Sequence, residues 1–130
     1  MSAGAAERPS IGLAPAGWLA AGLLGLMAAR ALGQPQAFTL LVLAPLAEEI
    51  VFRLGVQEAL LRRGLAWPAA NVLTAVAFAL AHLPTHPWAW SLLTFVPALA
   101  LGALYARTRR LAPCVLLHAA MNGVWLVWQP

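Results

Sequence analysis

The chain has 130 residues, is 62% hydrophobic and only 9% charged, and carries a formal net charge of +4. That composition excludes an ordinary soluble domain of this length and points to one compact membrane-embedded unit. All the positive charge is arginine, and the arginines flank apolar runs instead of clustering with aromatics, which argues against a nucleic-acid partner. The single cysteine, Cys114, cannot form an intrachain disulfide.

In chain order, residues 1–10 (MSAGAAERPS) read as a disordered leader. Residues 11–130 read as one membrane-embedded domain. A helix needs about 20 mostly apolar residues to cross the hydrocarbon core. Five segments meet that need: Ile11–Ala29, Ala37–Leu61, Ala66–Leu83, Trp88–Ala106 and Ala112–Trp128. The breaks carry stop signals: Gly33 and Pro35, Arg62–Arg63–Gly64, Pro84 and Pro87, and the RTRR stretch at 107–110. Trp67, Trp88, Trp90, Trp125 and Trp128 fall near span ends, where interfacial anchors belong. The expected fold class is therefore all-α, a polytopic transmembrane helix bundle of about five spans.

Five spans put Arg8, Arg62, Arg63, Arg107, Arg109 and Arg110 on one side and leave Arg30 on the other. The positive-inside rule then places the N-terminus in the cytoplasm and the C-terminus outside, with the plasma (inner) membrane as the expected location. A signal peptide is the rival reading of the first run, since Arg8, an apolar stretch and ARA at 29–31 mimic one. The run is long for that and contains Pro15 early, so a retained span is the expectation.

The second span holds Glu48, Glu49 and Arg53. Each such charge costs about 2.5–3.5 kcal/mol at a helix centre, together roughly 8–10. The eleven Leu, Ile, Val and Phe residues from Phe38 to Val56 return about 3–7 kcal/mol. A helix facing lipid would not carry that balance, so the charged face must meet protein or a wet cavity. Glu49 and Arg53, four apart, share a face and suit an ion pair. Glu48 is rotated about 100° from Glu49 and about 140° from Arg53 on a 3.6-residue wheel. It is thus freer to act as a general base. A polar patch that merely holds helices together is the plainer reading.

Two further pairs share helix faces: Phe78 with His82 in FALAH, and His118 with Asn122 in HAAMN. Interhelical hydrogen bonds are the plain explanation for each. His86, between two prolines, reads as a solvent-facing loop residue without a role. Together the spans offer a carboxylate that takes a proton, imidazoles that share one and an amide that donates to an oxyanion. That set suits the addition of water to a carbonyl.

EEIVFR fits EExxxR, FALAH fits FxxxH and HAAMN fits HxxxN. In order and approximate spacing these resemble the CPBP family of intramembrane proteases, also called the CAAX-protease and bacteriocin-processing or Abi family. The resemblance covers about residues 37–126 and implies a four-helix catalytic core with endopeptidase activity on a membrane-anchored protein or peptide. It also implies that Glu48 and His82 activate water, that His118 and Asn122 hold the oxyanion, and that Glu49, Arg53 and Phe78 support them. Members of the family have also been described as metalloproteases. Glu48, Glu49, His82 and His118 are the residues that could ligate zinc. There is no HExxH, and an amide is an uncommon zinc ligand, so the expectation is a reaction without a cofactor, with zinc as the alternative.

At 1.5 Å per residue, Glu48 lies roughly 16 Å, His118 roughly 15 Å and Asn122 roughly 9 Å from the outer face. His82 lies shallower, so either its helix runs on past Leu83 or it tilts. The cavity is expected to open outward. A non-enzymatic immunity or scaffolding protein, or a proton carrier, are the competing classes; a carrier would spread its polar groups across the full depth.

Overall fold

The computed structural model describes residues 35–128 together with Leu23 and Gly33. The expected leader, the first span and the signal-peptide alternative lie outside the described residues. What is described is all-helical: α1 (35–62), α2 (Trp67–His82), α3 (Trp88–Thr108) and α4 (Leu111–Trp128). These bounds differ from the sequence expectation by one or two residues at most ends.

Proline and glycine chemistry accounts for the shape of each helix. In α1, Pro45 has no N–H to offer the preceding turn and its ring crowds that turn's carbonyl. The turn widens to relieve this. Thr39–Leu43 is π-helical, and the Ala44 N–H reaches five residues back to the Thr39 carbonyl. A second π-helical stretch, Ile50–Gln57, follows directly on the two glutamates. The 3.6-residue wheel applied to this span therefore holds only over Ala44–Glu49 in its middle. Beyond it the wider turn brings residues four apart closer to one line, and Glu49, Arg53 and Gln57 all face inward with no exposed surface.

α1 ends where Gly64 adopts φ +87°. There Leu65 N–H bonds the Leu60 carbonyl and Gly64 N–H bonds that of Leu61, the paired closure that a left-handed residue after a helix permits. α3 breaks at Thr94 into Trp88–Leu93 and Phe95–Thr108. Pro97, four residues after Leu93, cannot bond back to it. α3 ends on Arg109 at φ +52°, a left-handed conformation that costs energy in a side-chain-bearing residue. The Arg109 guanidinium, 2.7 Å from Glu58 Oε2, helps hold it there.

Small residues let α2 and α3 approach closely: Ala70, Ala75 and Ala98 are fully buried. Phe78 joins Ala75 and Ala98 in one core cluster; Leu101, Tyr105 and Cys114 form another between α3 and α4. The polarity of the molecule is inverted. Glu49, Arg53, Gln57, Thr74 and Ser91 are wholly buried, while Val72, Leu73, Leu92, Val96, Leu116 and Val127 are exposed. Charges inside and aliphatic side chains outside suit hydrocarbon as the surroundings. Trp88–Thr108 and Leu111–Trp128 are long and apolar enough to cross a membrane. α2, with 16 residues, is shorter.

Candidate active site

All four described helices contribute to one cavity of about 520 Å³. Its polar lining includes Glu48 of α1, His82 of α2, and His118 and Asn122 of α4. Leu40, Leu93, Pro97, Met121 and the edge-to-face pair Trp90 and Trp125 make up an apolar remainder.

Glu48 Oε2 stands 3.6 Å from His118 Nε2 and 4.0 Å from His82 Nε2. The two glutamates part company as the sequence suggests. Glu49 Oε2 accepts from Arg53 Nε at 2.8 Å, both side chains being fully buried. Glu48 has no such partner and keeps partial exposure to the cavity. The structure adds a link that helical spacing on α1 alone does not show: Glu49 Oε1 lies 2.9 Å from His118 Nδ1.

The partners fix the tautomers. The Phe78 carbonyl, 2.9 Å from His82 Nδ1, can only accept, so the proton sits on Nδ1. Glu49, as a carboxylate, likewise accepts from His118 Nδ1–H. In their neutral forms both rings therefore turn an Nε2 lone pair toward the Glu48 carboxylate. Three acceptors converge with no donor between them among the described residues. Buried or half-buried acceptors need donors, and a water molecule offers two protons. The 4.0 Å gap between Glu48 and His82 is about the span of one water donating to both.

Phe78 packs under the site, its ring 4.6 Å from that of His82 and 6.0 Å from that of His118. Phe52 supports it edge-on at 4.9 Å. α2 stops at His82 and does not run on past Leu83, so its end reaches Glu48 directly. Asn122 lines the cavity, but its Nδ2 donates to the Leu40 carbonyl at 2.8 Å. That bond uses one of its two N–H groups and leaves the other for a ligand.

Three residues escaped the sequence reading. His86, assigned no role there, lines the cavity with its ring 5.6 Å from that of His82. Gln57 continues the spacing of Glu49 and Arg53 by four more residues and accepts from Arg53 Nη1 at 3.1 Å; that regular spacing was a usable signal. Glu58 binds Arg62, four residues on and so a spacing the sequence shows, and also Arg109 and Tyr105, contacts no local pattern announces.

Among the described residues, no group of three or more His, Cys, Asp or Glu side chains is arranged to hold a metal ion. Glu48, Glu49, His82 and His118, the set weighed for zinc, form no such group.

Residues 30–124 match the family model for type II CAAX prenyl endopeptidases, Rce1-like. No curated protein and no solved structure gave a significant match. The matched segment spans the three motifs and every helix that lines the cavity, so the chain, an integral membrane protein, belongs to the Rce1-like family of type II CAAX prenyl endopeptidases.

Proposed function

We propose that the protein is an intramembrane endopeptidase that hydrolyses a peptide bond of a membrane-anchored protein or peptide by direct attack of water. The observation that carries this reading is the convergence of Glu48 Oε2, His82 Nε2 and His118 Nε2 on one cavity wall without a donor among them. Water held between Glu48 and His82 adds its oxygen to the scissile carbonyl carbon, and Glu48 takes the proton. The oxyanion that forms accepts from the free Asn122 N–H. Glu48 shares that proton with His118 Nε2, 3.6 Å away, and the imidazolium so formed, its charge stabilised by the Glu49 carboxylate at Nδ1, donates to the oxyanion before handing the proton back to Glu48. The carbon–nitrogen bond then breaks, and Glu48 returns its proton to the departing amine. Mostly apolar walls beyond these polar groups suit an apolar substrate segment.

The same reading extends to topology. Five spans, a cytoplasmic N-terminus, an external C-terminus and a cavity open to the exterior of the plasma membrane account for the arginine asymmetry. A periplasm-only reporter fused after Trp128 should be active and one fused after Arg63 silent; the reverse pattern overturns this orientation.

Proteomics of membrane-protein termini tests the activity. Cells carrying the wild type should contain cleaved termini that are missing from cells carrying Glu48→Gln. Identical termini in both would overturn the proposal.

A further inference from the structure

We propose that Gln57 is a positioning residue for the reaction: acting through Arg53 and Glu49, it holds His118 with its proton on Nδ1 and its Nε2 toward Glu48. This inference rests on the hydrolytic reading of the site.

The chain of contacts is continuous. His118 Nδ1–H donates to Glu49 Oε1, and Glu49 Oε2 accepts from Arg53 Nε. The rest of the guanidinium is pinned at two points. Nη1 donates to Gln57 Oε1 at 3.1 Å and Nη2 to the Ala98 carbonyl at 3.2 Å. Gln57 is fixed in turn by donating from Nε2 to the Gly102 carbonyl at 2.9 Å. Glu49, Arg53 and Gln57 have no exposed surface, so no solvent can substitute for a lost partner. The π-helical stretch from Ile50 to Gln57 lets the three stack along one inner face.

The seat of Gln57 is shaped for an amide. Gly102 is where α3 passes closest: a Cβ there would collide with Asn71 Oδ1 and come within 3.0 Å of Gln57 Oε1. Asn71 Nδ2 donates to the Leu99 carbonyl beside it. Two amides thus bind carbonyls of α3 at Leu99 and Gly102, and the one from α1 carries the arginine. An arginine held at only two points can rotate its fork, and Glu49 then loses the geometry that fixes the imidazole. Outer partners that orient metal-bound imidazoles are worth about 10–100-fold in affinity or activity, and a loss of the same order is expected here.

Histidine labelled with ¹⁵N reads this directly, because only three histidines are present and His118→Gln assigns the third signal. In purified wild type, His118 should show the Nδ1-protonated tautomer. Gln57→Met, similar in length but without an acceptor, should give a mixed or Nε2-protonated His118 and a kcat lower by about 10–100-fold, with KM within about threefold. Gln57→Glu restores an acceptor for Arg53 and should recover the Nδ1-protonated signal. Should Gln57→Met fail to fold, Gln57→Asn tests the same point, since its amide stops about 1.5 Å short of Arg53. An unchanged His118 tautomer in whichever of these two variants folds overturns the proposal. The tautomer is read without turnover, so this result stands apart from whether the protein proves to be a protease.

Discussion

α1 carries two acidic environments that contrast sharply. Glu58, near its C-terminal end, is surrounded by donors: Arg62 Nε at 3.0 Å, Arg109 Nη2 at 2.7 Å and Tyr105 Oη at 3.0 Å. Glu48, ten residues earlier, meets only the acceptor faces of two imidazoles among the described residues. Both carboxylates sit on one helix of an apolar chain, yet one is satisfied and the other is left wanting protons. A saturated carboxylate ties helices together. One that faces acceptors across a cavity is placed to exchange protons with whatever enters it.

This contrast can be broken from either side. The largest effect is expected at Glu48: replacement by Gln should lower turnover by at least 10²–10⁴-fold, the range typical of a lost general base. Thermal stability should barely change, because no donor loses its acceptor. Proteoliposome cleavage and a melting curve on one preparation separate the two quantities. Asn122→Ala should follow, with kcat reduced by about 10²–10³-fold for one lost oxyanion donor, measured in the same assay.

At the other carboxylate the order reverses. Glu58→Gln should destabilise by about 1–3 kcal/mol, the cost of weakening charge-assisted bonds to Tyr105 and Arg109. Its turnover per folded molecule should stay within about threefold of wild type; heat inactivation with and without lipid follows the stability term. The smallest effect is expected from metal removal. Dialysis of active protein against a chelator should leave the rate unchanged. A loss restored by zinc would show that the cavity residues rearrange around an ion.

How far the sequence reveals this depends on the range of each interaction. The Glu49–Arg53 pair lies within one helical turn, so its spacing shows in the sequence. Gly64, Pro84 and Pro87 act locally too, and the helix ends fall close to where they suggest. Local rules stop at Pro45 and Pro97, which remove a hydrogen bond without saying how the helix compensates. One yields a widened turn and the other a break at Thr94. Cross-helix contacts are the least legible. Glu49 to His118 spans 69 residues and Gln57 to Gly102 spans 45, and each exists only because particular faces pack together. His86 shows the same limit. Its flanking prolines mark a loop and its contact with His82, four residues back, is local, but only the fold makes that loop part of the cavity wall.

The central claim is that Glu48 is the residue that takes a proton from the attacking water. The most direct test compares Glu48→Gln with Glu58→Gln in proteoliposomes, scoring release of a new carboxyl terminus from a membrane-anchored peptide. The account predicts no detectable product from the first and near wild-type product, per folded molecule, from the second. Product from Glu48→Gln at the wild-type rate would contradict it.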